Sequence, residues 1–207
     1  MARFSRSSRS GASADLLVVG LGNPGAEFEG TRHNAGADVV ALLAARSGER
    51  LRSEKGTRSL VAKLRWDELE VFAAVPQTYM NDSGLAVVAL VRRFSVKNLE
   101  RLVVVHDELD LPVGKVRIKA GGGTAGHYGL ESINAHLHDS GYTRVRIGIG
   151  KPPGGSHTGS DHVLRRPARA DRESLEAAIE LAADATEFIA KSGVAAAMNV
   201  FNSNGHK

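Results

Sequence analysis

The chain contains no cysteine, which removes disulfide staples, thiolate metal ligands and a cysteine nucleophile together. A reducing cytoplasm is compatible with that absence. No apolar run approaches the roughly 20 residues that a bilayer-spanning helix needs, so a soluble, non-membrane protein is expected. His106, His127, His136 and His138 lie in one stretch without the H-E-x-x-H spacing or another zinc pattern. A G-x-S-x-G elbow is also missing, which argues against a serine nucleophile. There is no internal repeat and no clear domain boundary.

Acidic residues are missing from Met1–Ala14, which carries Arg3, Arg6 and Arg9. Without those three, the net charge of +4 falls to +1, with 24 basic and 23 acidic side chains. The body is close to neutral, so a polyanion site must come from local clustering. The Arg/Ser-rich head resembles an organelle transit peptide in composition but is short and not amphipathic. A disordered basic extension over residues 1–14 is therefore expected, followed by one folded domain over 15–207.

With 207 residues, 42% of them hydrophobic and 24% charged, the chain has enough apolar material for a single core. Its pattern alternates strand and helix. Leu16–Gly20 and Arg101–Val105 read as buried strands, the second delivering His106 and Asp107 into a loop. Ser59–Trp66 and Glu68–Val75 read as a hairpin across Asp67. Val113–Ala120 and Arg144–Gly150 alternate apolar with basic residues, which predicts half-exposed strands with one cationic face. Helices are expected over Ala35–Arg46 (capped by Asn34), Ser83–Phe94, Leu130–His138 and Asp171–Lys191, the last closed by Gly193.

Short polar segments stand where the strands should end: Gly20-Leu-Gly-Asn-Pro-Gly25, Thr31-Arg-His-Asn34, Thr78-Tyr-Met-Asn81 and His106-Asp-Glu-Leu-Asp110. Reactive groups in open α/β sheets collect beyond the carboxyl ends of strands. The first segment formally matches G-x-G-x-x-G, but a dinucleotide site needs a helix to begin inside that motif. Here Pro24 removes an N–H, and about ten loop-like residues precede the helix at Ala35. Asn23 is better read as a presented polar group. His33, with Asp107 to fix its tautomer, could take a proton from water as that water attacks a carbonyl. Asn23 and Asn81 could position substrate or donate to the oxyanion.

Asp107, Glu108 and Asp110 could alternatively hold Mg²⁺ for phosphoester chemistry, although no companion carboxylate cluster is visible. A polyanion reading has local support. Lys115, Arg117 and Lys119 share one strand face, as do Arg144 and Arg146. Gly121-Gly-Gly-Thr-Ala-Gly126 follows the first set, and its amides could cradle phosphate. Lys151, Arg165, Arg166 and Arg169 lie downstream.

From about Leu16 to the closing helix the chain resembles the bacterial-type peptidyl-tRNA hydrolases. The resemblance rests on Val19-Gly-Leu-Gly-Asn-Pro-Gly25, Thr31-Arg-His-Asn-Ala-Gly36, Thr78-Tyr-Met-Asn-Asp-Ser-Gly84, His106-Asp-Glu-Leu-Asp-Leu-Pro112 and Arg146-Ile-Gly-Ile-Gly150. It implies a single α/β domain, three layers α/β/α around a twisted mixed sheet, monomeric and free of metal or other cofactors. It also implies cytoplasmic cleavage of the ester between a peptide and the terminal ribose of tRNA, which recycles tRNA from stalled translation, with no obligate protein partner.

By matching position, the resemblance makes His33 the general base and Asp107 its orienting partner. It puts Asn23 and Asn81 at the peptide and ester, and Met80 in the floor. Phe28 (more often tyrosine in the family) and Tyr79 stand near the tRNA end, and Lys119 and Arg146 on phosphate. One position departs. Where the family reads Gly-His-Asn-Gly, this chain has Gly126-His-Tyr-Gly129. Tyr128 replaces a substrate-clamping amide with a ring that could stack on a base or ribose, worth roughly 1–3 kcal/mol. The rival expectation is an RNA-binding paralogue with weak or no hydrolysis.

Overall fold

A strand covered on both faces must be apolar throughout, and Leu16–Gly20 meets that condition as β1 in the interior of the sheet. The computed structural model describes residues 14–152 and 159–203. Among them seven strands form one mixed sheet in the order β2-β3-β4-β1-β5-β7-β6. The other strands are β2 (Arg52–Glu54), β3 (Ser59–Trp66), β4 (Leu69–Pro76), β5 (Leu102–Glu108), β6 (Val116–Ala120) and β7 (Thr143–Gly148). β1 runs parallel to β4 and β5, and β5 to β7, while the remaining pairs are antiparallel. The helices are α1 (Ala35–Arg46), α2 (Ser83–Arg93), α3 (Tyr128–Leu137), α4 (Gly159–Val163), α5 (Arg169–Ser192) and α6 (Val194–Ser203).

Alternation along the strands gives the sheet two apolar faces. Val18, Val103 and Val105 pack with Val39 and Leu43 of α1 and Leu175 and Ala182 of α5. Leu17, Val19, Leu102 and Val104 pack with Val87 and Leu90 of α2 and Leu130 and Ile133 of α3. Each such Val or Leu contributes about 1.5–3 kcal/mol by leaving water. The expected three-layer α/β/α architecture follows. Helix α6 closes the β6 edge: Ile118 N–H donates to Asn202 Oδ1 at 2.8 Å, and Asn202 Nδ2 donates to Ile118 O at 2.9 Å. The amide thus stands in for a neighbouring strand.

β1 leads into α1 on one face and the adjacent β4 into α2 on the other, so the crevice opens at the carboxyl ends of β1 and β4, with the end of β5 beside them. Helix α1 lies tightly over that point. A Cβ on Gly36 would sit 2.2 Å from Val105 O, and one on Gly20 would sit 2.1 Å from Gly36 O. Only glycine allows this approach.

Several boundaries differ from expectation. β5 continues through His106, Asp107 and Glu108, which pair with Arg146, Ile147 and Gly148 of β7 rather than entering a loop. β6 starts at Val116 because the chain turns at Gly114 (φ 86). β7 is buried at every position except Arg146, so it is not half-exposed. Helix α3 begins two residues early, at Tyr128. Helix α5 begins at Arg169 and ends at Ser192, with Gly193 (φ 81) as its cap, as the glycine signal requires. Asn34 makes no capping bond to α1; its amide is engaged elsewhere. Ala14 is buried and donates its N–H to Phe94 O at 3.1 Å, so it belongs to the fold. Residues 1–13 of the expected extension lie outside the described residues.

Candidate active site

The site grows from the ends of β1 and β5. After Gly20 the chain makes two short 3-10 turns, Ala26–Phe28 and Arg32–Asn34, before α1 starts, so no helix begins inside the glycine motif. The second turn presents His33. Its Nδ1 lies 2.9 and 3.1 Å from the two carboxylate oxygens of Asp107. A carboxylate can only accept, so Nδ1 carries the proton and Nε2 keeps its lone pair. Nε2 bonds to no described residue, and His33 lines a cleft of about 850 Å³.

Asn23 is oriented by its neighbours. Met80 N–H donates to Asn23 Oδ1 at 2.8 Å, which leaves the Nδ2 donors without a described partner. Asn34 holds the Asn23 backbone by accepting from its N–H at 2.9 Å and donating to its carbonyl at 3.0 Å. Met80 and Asn81 come from the 3-10 turn that opens α2, and both line the cleft. Phe28 and Tyr79 meet edge to face, with centroids 6.5 Å apart. Tyr79 and Tyr128 are each 59% exposed, although both line the cleft, so their rings are available to a ligand.

The fold recruits a residue that sequence reasoning did not place. His127 Nε2 lies 3.0 Å from Asp107 Oδ1, and its Nδ1 accepts from Gly129 N–H at 3.2 Å. Its signal was its place immediately before Tyr128, where local sequence shows no link to Asp107. Burial would raise the Asp107 pKa, but His127 and His33 outweigh it and hold the carboxyl well below the usual carboxylate range. His106, also buried, is pushed down to about 3, first by burial and then by the neighbouring His127. Its Nδ1 donates to Asp107 O at 2.7 Å. Helix α4 supplies the other unforeseen wall, through Gly159, Ser160, Val163 and the adjoining Leu164.

Other candidate groups are drawn apart. Glu108 pairs with Arg146 at 3.0 Å and Asp110 with Lys151 at 2.7 Å, while Asp107 faces two imidazoles. The three carboxylates therefore do not converge on one cation. His33, Asp107 and His127 do offer ligand atoms within 4.8 Å of one another. A metal there would have to displace the two protons these atoms share. The cationic strips also separate. Arg144, 3% exposed, donates to the carbonyls of Gly121 and Gly123 and so builds the glycine loop instead of facing solvent. Arg117 donates to Asn202 O. Lys119 stays exposed, with no ion pair to a described residue.

Residues 17–207 match the family described as peptidyl-tRNA hydrolase. A peptidyl-tRNA hydrolase of Nocardia farcinica is 49% identical over 188 residues, covering 91% of this chain and 96% of that one. Its counterpart in Cutibacterium acnes is 45% identical over 201 residues, covering 92% and 100%. The crystal structure of peptidyl-tRNA hydrolase from Acinetobacter baumannii superposes with a TM-score of 0.85 at 36% identity, covering 92% of this chain and 96% of that one. The chain belongs to the peptidyl-tRNA hydrolase family.

Proposed function

We propose that this chain hydrolyses the ester between a peptide and the terminal ribose of tRNA, using water activated by His33. The observation that carries the reading is the His33–Asp107 pair, which fixes the proton on Nδ1 and leaves the Nε2 lone pair free in the cleft. Nε2 takes a proton as water attacks the ester carbonyl, and returns it to the departing ribose oxygen. Asp107 stays ionised and stabilises the imidazolium formed between those steps. Asn23, with its acceptor occupied by Met80 N–H, turns its amide donors to the developing oxyanion.

In this reading Asn81 and Met80 border the peptide, and Phe28, Tyr79 and Tyr128 offer ring surfaces to the acceptor end. Lys119 contacts phosphate, and so does Arg146, which shares its charge with Glu108. The enzyme works as a cytoplasmic monomer without metal or cofactor. Among the described residues no helix is long and apolar enough to cross a membrane. The joint presence of His33, Asp107 and Asn23 favours turnover over binding alone.

The test is release of blocked amino acid from N-acetyl-aminoacyl-tRNA. Wild type should turn over, also in a chelator, and folded His33→Ala should be inert. Full activity in His33→Ala would remove the reading.

A further inference from the structure

His127 occupies a junction. Its ring lies between the His33 ring (centroids 5.0 Å apart, planes tilted by 45°) and the His106 ring (5.0 Å, 76°). One nitrogen reaches Asp107 and the other reaches the first turn of α3. The chemistry of those partners settles the tautomer. Gly129 N–H can only donate, so Nδ1 must accept, and Asp107 can only accept, so Nε2 must donate. A neutral ring with its proton on Nε2 satisfies both contacts. An imidazolium would set Nδ1–H against the Gly129 N–H.

The two contacts serve different parts of the cleft. Asp107 Oδ1 receives His127 and also His33, so the carboxylate is braced from two sides. The bond to Gly129 satisfies one of the free amides at the start of α3, whose first residue is Tyr128. That turn is pressed against the substrate side of the site. A Cβ on Gly129 would sit 2.6 Å from Met80 Sδ and 2.9 Å from Leu21 Cδ1.

We propose that His127 is a positioning residue with two separable duties: through Nε2–H it aims Asp107 at His33, and through Nδ1 it caps α3 and sets Tyr128 at the cleft. The proposal rests on the hydrolase reading given above. The charged and titratable groups facing His127 are Asp107 and His106 of β5 and His33 of the turn before α1, with Arg144 of β7 behind His106.

Two substitutions divide the duties, because each amide side chain mimics one ring nitrogen. In His127→Asn, Oδ1 can still cap Gly129, but the side chain is too short to brace Asp107. In His127→Gln, the amide NH₂ reaches Asp107 but offers no acceptor at the cap. His127→Asn should lower kcat by about 10–100-fold, the factor that one hydrogen bond to a charged group is worth, with little change in KM. Its acid limb should move to higher pH, since the Asp107 charge is left to His33 alone. His127→Gln should raise KM about fivefold, the factor that one cap is worth, and lose amide protection at Gly129. Equal effects of both variants on kcat and KM would overturn the division.

A second measurement needs no turnover. Imidazole ¹⁵N spectra of the full chain should show His127 protonated at Nε2 and bare at Nδ1 at neutral pH. The opposite tautomer would overturn the proposal. A wild type without turnover would remove the hydrolase reading alone, because the spectra and the Gly129 amide still decide both bonds.

Discussion

Asn34 grips the backbone of Asn23 from both sides, accepting from its N–H at 2.9 Å and donating to its carbonyl at 3.0 Å. A side-chain amide used this way acts like one residue of a neighbouring strand. It fixes the Gly22–Pro24 loop, while Met80 N–H fixes the Asn23 side chain at 2.8 Å. The Asn23 amide is therefore immobilised from its backbone and from its tip, the preorganisation required by the oxyanion role proposed for it.

Asn34→Ala should then act on the reaction without touching substrate. Two part-buried backbone groups lose partners, at a cost of about 1–3 kcal/mol in stability. A misplaced Asn23 should lower kcat by up to about 100-fold, the effect of roughly 1 Å of misalignment. Denaturant midpoints and single-turnover rates measure the two effects. Unchanged turnover in the folded variant would show that the clamp does not set Asn23.

The site was legible where chemistry coincides with a strand end. β1 and β5 are apolar runs, and the residues that follow or close them, His33 and Asp107, lie 2.9 Å apart. His127 was not legible, since its role depends on a backbone amide of α3 and a carboxylate of β5. Period-two spacing put Arg144 and Arg146 on one face but could not show what covers that face. The loop carbonyls of Gly121 and Gly123 take up Arg144. The shortest elements escaped for simpler reasons. β2 is three polar residues, and α4 is five residues opened by glycine, too short for either period to register.

Stability should fall below neutral pH because of His106. Its pKa drops from 6.5 unfolded to about 3 folded, so the unfolded state binds the extra proton across that window. Each pH unit below 6.5 costs about 1.4 kcal/mol, or about 2 kcal/mol at pH 5. Asp107, whose folded pKa is lowered from 3.8, stabilises above that value, and its contribution is lost only at more acid pH. Melting curves of His106→Asn should be flatter than wild type between pH 4 and 6.5. Parallel curves would mean that the buried ring is not the sensitive group.

Lys119 is the clean probe of phosphate contact. It is exposed and holds no ion pair with a described residue, whereas Arg146 neutralises the buried Glu108 carboxylate at 3.0 Å. Arg146→Ala would strand that carboxylate and mix folding with binding. In Lys119→Ala the slope of log K against log salt for tRNA binding should shrink by about 1, with little effect on melting. An unchanged slope would remove Lys119 from the interface.

Arg32 links the turn of the proposed base, His33, to the far wall of the cleft. Its buried guanidinium donates to Arg165 O at 3.2 Å, Arg166 O at 3.1 Å and Asp171 Oδ2 at 3.2 Å. Its own N–H reaches Arg165 O at 3.3 Å, and Arg166 Nε donates to Glu29 O at 2.9 Å. The turn carrying His33 is thereby fastened to the chain leaving α4, whose residues line the cleft. Nη1 serves both carbonyls while Nη2 serves Asp171, a planar arrangement that the single ammonium of a shorter lysine cannot reproduce. The Asp171 contact is half-exposed and worth little by itself. Arg32→Lys should therefore keep the charge yet raise KM severalfold, with a smaller effect on kcat because the His33–Asp107 bond is separate. Asp171→Asn should shift stability by less than about 1 kcal/mol and leave KM near wild type. If Asp171→Asn harmed KM as much as Arg32→Lys, the ion pair rather than the carbonyl clasp would be what registers α4 against His33.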